Sequence, residues 1–228
     1  MAFSNWTFLT GSANYFAHLS EPGFPDSLSE GTGALIIHNT TGTLGGGVVG
    51  YVNTSTDSFL QLGLLKGSIR SLFRRGDDAS VVDHFAGLFC MASDLNAHNT
   101  GQLYGLHVEL MASNNIQLRK GSSGGVLGVG TVGTQLGSTF TADFQGAGSI
   151  VALELSWNAE EQSSLGGTEL VVRMGFEQDF SDLVTIINVV DTTSPLTTSV
   201  AEGIWTSYIS FGLETFVHLD QTRIEVIA

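Results

Sequence analysis

Cysteine is almost missing: Cys90 is the single one in 228 residues. No intrachain disulfide can form, and no cysteine-based metal site can be built. Cys90 lies in the apolar run GLFCMA. No basic group flanks it to lower its pKa, so it reads as a small buried hydrophobe rather than a nucleophile. Positive charge is scarce too, with eight Lys and Arg against 22 Asp and Glu and a formal net charge of −14. The imbalance is uneven. Residues 141–228 hold 13 acids and two bases, whereas residues 1–140 hold nine acids and six bases. Such a surface repels phosphate backbones and argues against nucleic acid as a partner. No apolar run approaches the length of a membrane span. The start, MAFSNWTFLTGS, has neither the positive n-region nor the long apolar core of a signal peptide.

What fills the chain instead is Gly, Ser and Thr, beside 42% hydrophobic and only 13% charged residues. That mixture suits short strands and many turns and is poor material for exposed helices. Apolar runs of about four to six residues recur between Gly, Asn or Thr, as strands do, in GALIIHN and GGGVVGYVN. LGLLKGSIRSLFRRGDD carries Lys66, Arg70 and Arg74 at helical spacing. Its glycines and serines favour a strand, with Leu65, Ile69 and Phe73 on one side. In SIVALELSW, Ile150, Ala152, Glu154 and Ser156 alternate with Val151, Leu153, Leu155 and Trp157. No segment sustains a helical period, and a single turn is expected near 178–184. A Gly/Ser-rich passage, GSSGGVLGVGTVGTQLGS, reads as a loop plus a weak strand.

The clearest pattern runs from His84 to Gly121. Phe85–Ala92 is apolar, then comes the polar insert DLNAHNTG, then QLYGLHVELM, in which Tyr104, Leu106, Val108 and Leu110 alternate with Gly105, His107 and Glu109. The short ASNN follows as a tight turn, and NIQLRKG alternates again. Three consecutive antiparallel strands, a meander, are expected. Some twelve strands in all point to a two-sheet antiparallel β-sandwich. Residues 1–228 are read as one such domain, with 1–30 either part of it or an extended N-terminal arm.

GSIRSLFRR, AGLFCMASDLNAHNTGQLYGLHVEL, NNIQLRKG and the closing FVHLDQTRIEVIA follow an order that resembles the concanavalin A-like jelly roll, laminin G-like domains included. The resemblance spans roughly residues 60–228 as a pattern, without a fingerprint motif, and implies fold more than function. Members of this fold include lectins, adhesive modules, glycoside hydrolases and phage particle proteins. The laminarinase-type hydrolases use a Glu-x-Asp-x-Glu strand. The nearest match here is Glu177-Gln-Asp179-Phe-Ser181, in which Ser181 replaces the second glutamate. The acid/base pair is then incomplete, and the segment reads as an acidic loop. No catalytic residue is assigned.

Other motifs reduce to simpler readings. Gly128-Val-Gly130-Thr-Val-Gly133 matches a dinucleotide fingerprint, but no helix signal or βαβ pattern follows it. The six histidines form no His-x-x-x-His pair, and no Gly-x-Ser-x-Gly elbow occurs. The three Asn-x-Ser/Thr sequons read as chance in a Thr-rich chain. Neither a metal nor a cofactor is expected. Lys66, Arg70, Arg74 and Arg75 hold half of the positive charge. They form either a solvated strand face or a contact patch for an acidic neighbouring subunit. In the insert, Asp94, Asn96, His98 and Asn99 form a polar loop tip that could meet a ligand. With one carboxylate it is short of a Ca²⁺ site.

A β-sandwich of extracellular composition with no signal peptide and no disulfide suggests a phage virion. The expectation is a non-enzymatic structural protein, made in the host cytoplasm: a capsid decoration, head fibre or tail appendage subunit. Its partners would be other virion subunits, as a homo-oligomer or on a capsid or tail protein, with a glycan as a further partner. The alternatives are a stand-alone carbohydrate-binding lectin and, behind it, a divergent glycoside hydrolase.

Overall fold

The computed structural model describes the backbone of residues 3–6, 15–18, 27–31, 34–39, 45–51, 64–74, 81–93, 101–110, 113–122, 133–144, 149–160, 162–199, 201–210 and 215–225. Its side chains are described for 64–73, 87–93, 101–110, 113–121, 133–144, 149–160, 164–199 and 202–203. The early strands are β1 (Phe3–Trp6), β2 (Tyr15–His18), β3 (Ser27–Gly31), β4 (Ala34–Asn39) and β5 (Gly45–Tyr51). The middle of the chain forms β6 (Lys66–Arg74), β7 (Val81–Ala92), β8 (Gln102–Glu109), β9 (Asn115–Ser122) and β10 (Thr134–Thr141). The last group is β11 (Ile150–Asn158), β12 (Thr168–Gly175), β13 (Val184–Asp191), β14 (Ala201–Ser210) and β15 (Thr215–Glu225). One helical turn, Gln162–Leu165, joins β11 to β12.

Two antiparallel sheets result. The first runs β13-β12-β11-β6-β15-β4-β3, with β1 also paired to β15, and the second runs β10-β9-β8-β7-β14-β5-β2. The expected meander is present, and β10 extends it to four consecutive strands. Residues 66–74 are a strand, as their glycines and serines suggested. Within residues 1–30, β1, β2 and most of β3 are paired into the sheets.

Alternation explains the core. Val151, Leu153, Leu155 and Trp157 of β11 meet Tyr104, Leu106, Val108, Ile116 and Leu118 of the facing sheet, all at 2% exposure or less. Burying side chains of this size is worth about 1.5–3 kcal/mol each, which selects this register over a one-residue slip. The opposite face of β11 is not bare. Leu72 and Ala152 are covered by Phe180, with Ile150 and Leu183 beside it. Trp157 donates its Nε1 hydrogen to the Leu64 carbonyl at 2.8 Å. A Cβ on Gly67 would stand 2.8 Å from the same ring, so only glycine fits beneath it.

The insert after β7 behaves as a hairpin connection. Ser93 and Gln102 close its base, the Ser93 amide donating to the Gln102 carbonyl and the Gln102 amide to Ser93 Oγ, both at 2.9 Å. Asp94, Asn96, His98 and Asn99 themselves lie outside the described residues.

Candidate functional site

At one end of the sandwich the inward-facing positions change from apolar to polar. On β9 the inward series Ile116, Leu118 ends in Lys120, and on β13 Ile187 and Val189 are followed by Asp191. Tyr104 of β8 reaches the same place. Tyr104 donates its hydroxyl to Asp191 Oδ2 at 2.8 Å, and Lys120 Nζ donates to the same oxygen at 2.5 Å. The Thr193 amide donates to Asp191 Oδ1 at 3.1 Å, so both carboxylate oxygens are engaged. Burial pushes the Tyr104 hydroxyl up in pKa, which keeps it protonated as a donor. Asp191 is 3% exposed; a charge at that depth persists only when paired and hydrogen-bonded.

This cluster ties the two sheets together and pins the chain after β13. Lys120 also donates to the carbonyls of Thr193 and Ser194. The Leu196 amide donates to Tyr104 Oη at 2.9 Å, and Thr168 Oγ1 donates to the Leu196 carbonyl at 3.4 Å. Ser194 is held at a φ of 53°, a left-handed conformation that a non-glycine residue adopts only when its surroundings fix it.

Between this pinned segment and β10 lies a cleft of about 850 Å³. Leu136, Val189 and Leu196 give it an apolar floor, while Gln102, Gln135, Thr134 and residues 192–194 supply amides and hydroxyls around it. Gly137, at a φ of 73°, lets β10 pass so near β13 that a Cβ there would stand 2.7 Å from Val189 Cγ1. The pairing of β10 with β9 breaks between Leu136 and Phe140, a bulge at the cleft wall. Gln135 is anchored through Nε2 to Thr139 Oγ1 (3.1 Å) and to the Gly137 carbonyl (3.2 Å). Gln117 reaches the same Thr139 oxygen and accepts two hydrogen bonds from Arg119 at 2.9 and 2.7 Å. Amide side chains are therefore fixed in place along β9 and β10.

The residues expected from sequence lie elsewhere. Lys66 and Arg70 stand on the outer face of the first sheet. Lys66 borders a pocket of about 130 Å³ with Asn158, Glu169 and Val171. Arg70 packs over the Phe180 ring, 5.3 Å from its centroid, and lies 3.8 Å from the Glu154 carboxylate, which also pairs with Arg173. In register, Glu154 sits directly between Arg70 and Arg173 on neighbouring strands. Arg74 ends β6 with its side chain outside the described residues, and Arg75 lies outside them altogether. The segment 177–182 forms a turn rather than a strand: the Phe180 amide donates to the Glu177 carbonyl at 3.1 Å. Its acids serve the backbone, Asp182 accepting from the amides of Phe176 and Glu177, and Asp179 from that of Ser181. Among the described residues no group of three or more His, Cys, Asp or Glu could hold a metal ion.

No family model and no curated protein matches the sequence. Its structure is similar to that of the VIP36 exoplasmic/lumenal domain in its Ca²⁺/Man3GlcNAc-bound form. The TM-score is 0.59 at 10% identity, over 94% of this chain and 85% of that one. It is similar to basic winged bean lectin with Tn-antigen, at TM-score 0.58 and 11% identity, over 99% of this chain and 98% of that one. It is similar also to a Bacillus licheniformis β-glucanase, at TM-score 0.59 and 9% identity, over 100% and 99%. The chain has the jelly-roll sandwich shared by concanavalin A-like lectins and β-glucanases. At such identities the likeness establishes fold alone.

Sequence reasoning missed the Tyr104–Lys120–Asp191 cluster and the cleft beside it. The one local signal was polarity at the inward position where a strand ends, in Lys120 and Asp191. Their meeting depends on a pairing across 71 residues.

Proposed function

We propose that this chain is a non-catalytic carbohydrate-binding protein that takes a glycan segment in the cleft between β10 and β13. The observation that carries the reading is the make-up of that cleft. The anchored Gln135 amide, the Gln102 amide and threonine and serine hydroxyls surround an apolar floor, and the charged pair at its base is already neutralised internally. Sugars offer hydroxyls on their edges and C–H groups on their faces, so such walls match both. The described lining contains one carboxylate, Asp191, with both oxygens engaged. Glycosidic hydrolysis ordinarily needs two carboxyl groups across the scissile bond, so this arrangement favours binding over cleavage. Two of the similar structures are named for bound saccharides, Man3GlcNAc and the Tn-antigen, which is consistent with the same use here. None of the structures named above is a particle protein, so the virion reading gains no support from them.

A glycan array followed by calorimetry tests the proposal. Binding should appear for one class of oligosaccharide and weaken about tenfold or more in Gln135→Ala. That corresponds to roughly 1.4 kcal/mol for a lost hydrogen-bonding group. An array with no binder, or a binder indifferent to Gln135 and Gln102 alike, would count against it.

A further inference from the structure

Glu202 is an acid that the cleft does not use directly. It sits at the start of β14, opposite an irregularity in β7. Ala201 pairs with Ala92 and Gly203 with Phe89, so Cys90 and Met91 together face Glu202. Met91 has a φ of 53° there, the extra residue of a bulge. The Glu202 side chain is fully buried. Ser199 donates its hydroxyl to Oε1, and Oε2 is buried without a hydrogen-bond partner among the described residues. Ser199 closes the connection 192–199, whose first half is the cleft wall.

We propose that Glu202 is a positioning residue for the cleft: its protonated carboxyl, gripped by Ser199, seats the 192–199 connection, and loss of the proton releases that wall. This rests on the cleft being the binding site, but the release itself does not require a ligand. A neutral carboxyl tolerates an apolar pocket with one oxygen unpartnered, whereas a carboxylate there is driven toward water. The groups facing Glu202 give the ion little help. From β7 comes the Cys90 thiol, itself pushed well up by burial and by Glu202. From the chain entering β6 comes the Leu64 amide, and from its own connection the Ser199 hydroxyl. Those two donors favour the ion, but burial outweighs them and lifts the carboxyl to about 7. The wall is thus seated in acidic solution and loosens as pH rises to neutrality.

Hydrogen exchange on the full chain at pH 5.5 and 8.5, corrected for the intrinsic pH dependence of exchange, reads the wall without any ligand. Protection of the amides at 192–194 and 196–199 should fall about tenfold or more between the two pH values and level off above about pH 7, while amides of β9 and β12 keep theirs. Glu202→Gln should hold the wall closed at both pH values. Should that variant not fold, Ser199→Ala serves, since removing the grip should lower wall protection already at pH 5.5. Unchanged wall protection in the wild type, or an equal loss in Glu202→Gln, would overturn the proposal, as would full wall protection at pH 5.5 in Ser199→Ala. Absence of glycan binding at both pH values, with the exchange result intact, would fault the binding reading instead.

Discussion

The space between the two sheets is filled in two different ways. Around Trp157, Leu155 and Leu106 it is packed with apolar side chains, and glycine at 67 is required because nothing larger fits below the indole. At the β9–β13 end it is filled by Tyr104, Lys120 and Asp191, which exchange hydrogen bonds instead of dispersion contacts. The apolar region specifies the register of the strands. The polar end pins a loop and leaves a cleft open beside it. One sandwich thus holds a dense part, where volume decides, and a polar part, where the partner of each charge decides.

The largest effect is expected at the polar end. Asp191→Ala strands the Lys120 ammonium and the Tyr104 hydroxyl, and should cost about 3–5 kcal/mol in urea unfolding. Replacing both partners, Lys120→Met with Asp191→Leu, should recover most of that loss, because an apolar pair no longer needs mutual satisfaction. If the double replacement is as damaging as the single one, the ion pair does more than satisfy itself.

Next comes pH. Glu202 has its folded pKa raised to about 7 from the ordinary value of 4.5. The folded state therefore holds a proton that the unfolded chain has released. Stability should be full below about pH 4.5 and decline as pH rises to about 7, by about 3 kcal/mol in all, then level off. Glu202→Gln should flatten that part of the profile, as followed by denaturant midpoints across the range. The smallest of the three is Gly67→Ala in the dense region, where a methyl meets the Trp157 ring. A loss of about 1–3 kcal/mol is expected from overpacking, with Trp157 fluorescence shifted.

Much of the fold was legible because it rests on period-two alternation, which β11 and β8 show plainly. The meander could be read from local turns, ASNN above all. The 162–165 helical turn escaped, being one turn too short to carry a period. The acidic segment at 177–182 was read as a loop, and the structure shows a turn whose carboxylates cap backbone amides. The cleft was not legible. Lys120 and Asp191 are 71 residues apart and Tyr104 and Asp191 are 87 apart, and nothing local marks them as neighbours. Arg70 drew attention by its charge, yet its aromatic contact with Phe180 depends on a turn 110 residues downstream.

Amide chemical shifts recorded while the glycan found on the array is titrated in locate the binding surface. Saturable shifts should appear at Gln102, Gln135 and residues 192–194, with the outer face of β11 and β12 unmoved. Shifts confined to that outer face, around Glu154 and Arg173, would contradict binding in the cleft.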